Sequence, residues 1–270
     1  MPSLTEHSSK NVTKLIYIGD SKSGKTGSLV SLVKVGYKLR ILDMDNLLDT
    51  LKYFVMKECP QNAKNVEYIT YRDKRKASAS GPVLDGKPVA YVNALKALDN
   101  WPGLGPPSEW GPDCILIIDS LSRLCDAAYD FHEVIAQAQG GRYDGRMVYF
   151  SAQKSVEDVL ANLSAESFNT NVIVICHIMY IDQPDGTVKG YPQSVGKALS
   201  PKIPSYFPSA ILATNKGGKR VIRTTSTSLL DLANPAPFAM STELPLETGL
   251  ADFFAVLRDP PKVEMKLRKI

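Results

Sequence analysis

Residues Gly19 to Thr26 read G-D-S-K-S-G-K-T, which fills every fixed position of the pattern G-x-x-x-x-G-K-[ST]. These residue types at this spacing suit one kind of chemistry, the gripping of a polyphosphate. Glycines let successive backbone N–H groups converge on an anion. A helix that follows turns its positive end to the same point. Lys25 reaches the β- and γ-phosphates and the Thr26 hydroxyl ligates Mg²⁺. The pattern points to Gly19, Asp20, Ser21, Lys22, Ser23, Gly24, Lys25, Thr26 and Gly27 as nucleotide-binding residues, with ATP and Mg²⁺ as cofactors. The flanks agree: Lys14-Leu15-Ile16-Tyr17-Ile18 is a short apolar strand, and Leu29, Leu32 and Val33 fall on one helical face.

Three further segments carry groups that such chemistry needs. Asp113 to Ser120 reads D-C-I-L-I-I-D-S, and its apolar run delivers Asp119 to a strand tip, where a carboxylate holds the water shell of Mg²⁺. Ile41 to Asn46 ends another strand with Asp43 and Asp45. Either carboxylate could orient the attacking water, with Asp45 preferred, and either could instead cap the next helix. Asn171 to His177 reads N-V-I-V-I-C-H, which places His177 at a third tip as a sensor of the γ-phosphate or as a cap of the sheet. Lys25, Asp45 and His177 are therefore the candidate catalytic residues, and Thr26 and Asp119 the candidate metal ligands.

The elements that must position these groups alternate strand and helix, which predicts an α/β fold with a mainly parallel sheet. Strands are expected at 14–19, 38–43, 66–71, 113–119 and 171–177, and helices at 25–35, 46–57, 88–99, 121–138 and 147–166, with Pro88 at a first helical position. Runs 209–214 and 220–225 flank Asn215-Lys216-Gly217-Gly218-Lys219 and suggest an antiparallel hairpin. A short helix is expected from Leu250 to Leu257. The 270 residues are 44% hydrophobic and carry a net charge of +4, enough for a large core and mildly basic, which permits nucleic-acid binding. No apolar run approaches the roughly 20 residues of a membrane span, and the polar start does not resemble a secretory signal. Cys59, Cys114, Cys125 and Cys176 form no C-x-x-C pair and read as buried thiols of a reducing cytoplasm.

The order of these parts resembles the RecA-like P-loop ATPase core: an early phosphate loop, a carboxylate after the next strand, a strand ending Ile118-Asp119-Ser120, and a later strand ending Ile175-Cys176-His177. Ser194 to Leu199 resembles the glycine-rich exit of that family's second DNA-binding loop. In size, and in Thr248-Gly249-Leu250-Ala251 with Phe253-Phe254, the chain is similar to the phage-encoded group associated with single-strand annealing and recombination. The resemblance implies an arm at 1–12, an ATPase domain at 13–228 and a C-terminal extension at 229–270 that packs on the core and ends in a basic tail (Lys262, Lys266, Arg268, Lys269). It implies ATP hydrolysis stimulated by single-stranded DNA, a homo-oligomer with ATP between subunits, a possible single-strand binding protein as partner, no membrane, and the host cytoplasm as location. Two loops would meet DNA, Gln139 to Arg146 through Arg142, Tyr143 and Arg146, and Ile178 to Lys197 through Lys189, Tyr191 and Lys197. Lys216, Lys219, Arg220 and Arg223 are candidates for a basic side chain reaching across the subunit boundary. Arg72, Lys74, Arg75 and Lys76 read as a solvated loop. The chain departs from RecA itself in holding His at the sensor position and in its basic tail. The alternative is a nucleotide-driven switch or scaffold that binds a protein and no nucleic acid.

Overall fold

A computed structural model describes residues 11–138 and 143–259; the arm to residue 10, Arg142 with the loop residues before it, and the basic tail lie outside the described residues. In chain order the elements are β1 (Lys14–Gly19), α1 (Lys25–Ser28), α2 (Val30–Lys34), β2 (Lys38–Asp43), α3 (Asp49–Glu58), β3 (Val66–Thr70), β4 (Arg75–Lys76), β5 (Val83–Leu84), α4 (Ala90–Asp99), β6 (Cys114–Asp119), α5 (Leu121–Ala138), α6 (Gly145–Ser164), β7 (Asn171–Cys176), β8 (Ile178–Asp182), β9 (Val188–Pro192), α7 (Gly196–Leu199), β10 (Ser209–Lys216), β11 (Lys219–Arg223), β12 (Glu243–Pro245) and α8 (Gly249–Arg258).

Eight strands form one sheet in the order β12-β11-β10-β1-β7-β6-β2-β3. The six from β10 to β3 are parallel, and β11 and β12 are added antiparallel at one edge. The protein is thus α/β with a mainly parallel sheet, as the strand–helix alternation predicts. The inner strands β1, β6 and β7 are near-continuous apolar runs, as suits strands covered by helices on both faces, while the edge strand β3 is partly exposed. Along β1, Ile16 and Ile18 point into the core under α4, α5 and α6, while Leu15 and Tyr17 point into the core under α2, α3 and α8. Phe253 and Phe254 of α8 are fully buried in that second core, each contributing about 2 kcal/mol by burial of apolar area. Through α8 and β12, residues 243–258 belong to the same sheet and core as the first strand. Among the described residues no helix is long and apolar enough to cross a membrane, and all four cysteines are unpaired thiols.

The register sets the strand tips side by side. Asp43 of β2 lies directly opposite Asp119 of β6, and Ile18 of β1 opposite Cys176 of β7. Gly19, Asp43, Asp119 and His177 therefore collect at one end of the sheet, the carboxyl ends of the strands, where open α/β sheets bind their ligands.

Several boundaries differ from expectation for local reasons. The first helix breaks at Leu29, whose N–H bonds Thr26 O (3.3 Å) in a tighter turn. The helix expected from 46 starts at Asp49, because Asp43 caps a turn at Asp45 and Asn46 and Asn46 takes a φ of 56°. Pro88 is not the first residue of α4; that helix starts at Ala90, and its N–H groups at Val89 and Ala90 bond Asp73 Oδ1 (2.7 and 3.0 Å). The helix expected at 147–166 spans Gly145–Ser164, with Asp144 as its cap accepting from Arg146 N (2.9 Å). Ile178 to Lys197 is not a loop: β8 and β9 form an antiparallel ribbon within it. The hairpin turn is Gly217-Gly218, both at positive φ (57° and 85°), which suits a two-residue connection.

Candidate nucleotide site

The candidate phosphate loop leaves β1 at Gly19 and enters α1 at Lys25. Its glycines are there for close approach. A Cβ on Gly19 would lie 2.7 Å from Ala213 O, and Gly24, at φ 98°, would place one 2.5 Å from Leu246 Cδ2. Lys22 takes a positive φ of 64° without being glycine. Asp20, Ser21 and Lys22 are exposed at the rim, while Ser23, Lys25 and Gly27 are buried. The Lys25 ammonium turns back into the loop and donates to Gly19 O (2.8 Å) and Asp20 O (2.8 Å), with Ser23 Oγ at 3.4 Å. Burial lowers its pKa against the raising field of Asp119, Asp20 and Asp45.

Thr26 Oγ1 donates to Asp119 Oδ2 at 2.7 Å, across a sequence separation of 93 residues. Burial pushes the Asp119 carboxyl up to about 7; the Thr26 hydroxyl pulls it down, and Asp45 and Asp43 push it further up. A hydroxyl and a carboxylate side by side are hard oxygen donors, the set that fits Mg²⁺, and a divalent cation between them would restore the ionised carboxylate. Among the described residues no three His, Cys, Asp or Glu side chains form a metal cage. Mg²⁺ held by one or two protein oxygens, waters and phosphates does not need one.

The two Asp candidates separate cleanly. Both Asp43 oxygens are engaged in structure: Oδ1 accepts from the N–H groups of Asp45 (3.1 Å) and Asn46 (2.7 Å), and Oδ2 from Thr70 Oγ1 (3.0 Å). The Asp45 side chain instead faces the site, where it acts electrostatically on Lys25, Asp119 and His177. Its carboxylate lies 3.3 Å from Arg123 Nε, and its carbonyl accepts from Arg72 Nη1 (3.2 Å). His177 closes β7, and its N–H donates to Ser122 Oγ (3.1 Å). Burial lowers the imidazole pKa, the Lys25 charge lowers it again, and Asp45 opposes both. Its Nδ1 is buried without a partner, as is the Ser120 hydroxyl next to Asp119.

The candidate DNA residues are scattered among elements. Tyr143 is exposed and its hydroxyl bonds Glu133 Oε1 (3.1 Å). Arg146 is an exposed residue in the first turn of α6 rather than in a loop. Lys189 of β9 is paired with Asp231 (2.6 Å), Tyr191 is half-buried in the same strand, and Lys197 is exposed on α7. Arg72, Lys74, Arg75 and Lys76 are all exposed, as a solvated segment should be; Arg75 and Lys76 form the two-residue strand β4, Arg75 pairs with Asp130 (2.5 Å), and Arg72 holds the Asp45 carbonyl. On the hairpin, Arg223 is bound to Glu243 of its own chain (2.7 Å), and the Arg220 side chain comes within 3.6 Å of a Cβ built on Gly24 of its own loop. The Lys216 side chain lies outside the described residues.

Sequence reasoning missed Arg123 and Leu246, and gave Arg72 no part in the site. Arg123 follows Asp119 by four residues, in the first turn of α5 at the strand tips, so its place was a usable signal. Leu246 had none, because its neighbour Gly24 is near only through β12. Also missed were Met147, Tyr149 and Phe150, which stand exposed on the first turns of α6 beside Tyr143.

The fold is similar to that of the RadB recombinase, with a TM-score of 0.43 and 14% identity over 78% of this chain and 79% of that one. It is also similar to the ATP synthase subunit NeqB from Nanoarcheaum equitans, with a TM-score of 0.40 and 9% identity over 76% of this chain and 46% of that one. No family model and no curated protein matches the sequence.

Proposed function

We propose that this chain is a RecA-like ATPase that binds ATP with Mg²⁺, hydrolyses it, and acts on single-stranded DNA in phage-type recombination, annealing or repair. One observation carries the nucleotide reading: Thr26 Oγ1 and Asp119 Oδ2 meet at 2.7 Å at the mouth of a glycine loop whose Lys25 ammonium is already turned inward. Two motifs far apart in sequence thus assemble the hard oxygen pair and the cation that a β,γ-phosphate needs. Mg²⁺, when bound, would neutralise charge on the phosphate oxygens. The chain's own residues do the rest. Gly19 to Gly27 hold the phosphates, Lys25 stabilises charge on the β- and γ-oxygens, and Thr26 and Asp119 hold the metal. Asp45 orients the water, and His177 stands where the γ-phosphate is reported to β8 and β9.

The DNA part of the proposal is supported by exposed Tyr143, Arg146 and Lys197, with aromatic rings for bases and cations for phosphates. Arg142 belongs to the same proposal from sequence alone. A homo-oligomer with ATP between subunits, a single-strand binding protein as companion and a cytoplasmic setting go with this reading. The test is ATP turnover at low salt with and without single-stranded DNA. Stimulation is expected; unaltered turnover removes the DNA assignment. Calorimetry with Mg²⁺ and either ATP or GTP tests the base of the reading, and the absence of saturable heat sinks it.

A second reading, a nucleotide-driven switch for a protein partner, is favoured by one feature, the exposed apolar Met147, Tyr149 and Phe150 on α6. It expects ATP-dependent assembly in light scattering without any DNA.

A further inference from the structure

We propose that Arg123 is a positioning residue that aims the Asp45 carboxylate at the attacking water; the inference rests on the hydrolysis proposed above. The main chain around Asp45 is fastened on several sides. Met44 N–H donates to Asp119 O (2.6 Å), Asp45 N–H to Asp43 Oδ1 (3.1 Å), and Arg72 Nη1 to the Asp45 carbonyl (3.2 Å). These bonds fix where the residue sits and leave its side-chain rotation open. Arg123 acts on that rotation. Its Nε lies 3.3 Å from Asp45 Oδ1, while its Nη1 lies 2.9 Å from Asp126 Oδ2 on the next turn of α5. One guanidinium therefore spans two carboxylates, anchored by Asp126 on its own helix and reaching across to the tip of β2. The rigid fork of an arginine makes such a bridge; a lysine supplies a point charge without the second arm.

Charge points the same way. Asp43, Asp45 and Asp119 crowd the tips of β2 and β6, and Asp45 and Asp43 act as like charges on Asp119. Lys25 offsets them from the loop side, and Arg123 offsets them from the helix side. The Arg123 side chain is 57% exposed, so its ion pairs add at most about 1 kcal/mol to folding. A bond so weak for stability and so close to the water-orienting group acts through geometry. A carboxylate that is free to swing loses the near-attack arrangement that makes a bound water reactive.

The test is a double-mutant cycle on the full chain, read as kcat, KM and equilibrium binding of a fluorescent ATP analogue. Arg123→Gln is expected to lower kcat about tenfold with KM and binding within about twofold, the mark of an interaction felt after substrate is bound. Arg123→Lys restores part of the loss. In an Asp45→Asn background, Arg123→Gln adds nothing, because the group it aims is gone. The proposal is overturned if Arg123→Gln keeps the wild-type kcat, if its loss lies in KM alone, or if the full loss persists beside Asp45→Asn. Should the Gln variant not fold, Arg123→Lys decides: an unchanged kcat overturns the proposal and a reduced one with intact binding upholds it. A wild-type protein that does not turn over ATP refutes the parent reading and this inference with it. Wild-type turnover with an indifferent Arg123 refutes this inference alone.

Discussion

Strand β1 has a buried lysine at either end. Lys14 opens the strand, and Lys25 folds back onto Gly19, which closes it. Both are 6% exposed, and each donates to two backbone carbonyls: Lys14 to Phe168 and Thr170, Lys25 to Gly19 and Asp20. Burial lowers the pKa of both. Their surroundings differ. Lys14 lies over the Phe168 ring at 4.3 Å, and burial alone moves its pKa, to about 7. Beside it, Asn171 accepts from Thr13 N and donates to Pro112 O and Cys114 O, a tie between the starts of β1, β6 and β7. Lys25 instead stands in the field of Asp119, Asp20 and Asp45, and its acceptors belong to a loop rather than to a packed turn. Burial and partner number do not distinguish the two ammonium groups; the carboxylates gathered around Lys25 do.

Substitutions at the two ends should therefore separate activity from stability. The largest effect is expected from Lys25→Ala, with ATP turnover down by about 10³-fold or below detection and urea unfolding changed by no more than about 1 kcal/mol. A large loss of stability would make the two lysines alike. At the opposite end, Asn171→Ala removes the acceptor of the Thr13 amide and a donor to the Cys114 and Pro112 carbonyls, the latter keeping Arg258, at a cost of about 2 kcal/mol in urea unfolding. Turnover by the folded fraction should stay the same; a selective loss of turnover would blur the division. Asp45→Asn removes part of the carboxylate field and should slow turnover about 10²-fold with nucleotide binding retained. Intact turnover would take Asp45 out of its role. The smallest effect concerns pH. With the Lys14 pKa lowered from 10.5 to about 7 in the folded protein, the unfolded chain binds more protons on this residue between those values. Stability should rise with pH across that window and be flat below it. Unfolding curves across this range check the slope, and Lys14→Met should remove Lys14's share of it.

Much of the frame was legible because the buried strands are continuous apolar runs with polar stops. Lys14–Gly19 and Lys38–Asp43 begin and end where sequence patterning places them. The candidate site was legible to the extent that it lies on strand tips, since chain order and the parallel sheet bring Gly19, Asp119 and His177 to one end. What patterning could not reach depends on distant partners. The start of α3 is displaced by the Asp43 cap, whose second oxygen is held by Thr70 on another strand. The start of α4 is set by Asp73 from outside the helix. The β8–β9 ribbon falls where the resemblance alone implies a loop; Pro184-Asp185-Gly186 is a turn signal between its strands, but Lys189, Gly190 and Pro192 make the second strand a weak pattern. β12 has three residues including Pro245, tolerable at a sheet edge and too short to register as a strand.

The sheet order has a consequence for how the protein is made. Both neighbours of β1 in the sheet, β7 and β10, come from the far half of the chain, and the face of the loop at Gly24 is closed by Leu246. During synthesis, which releases the polypeptide from its amino end, β1 emerges well before either strand that pairs with it. On the ribosome the glycine loop after β1 therefore stays without its flanking strands and its Leu246 wall until those later segments have been translated.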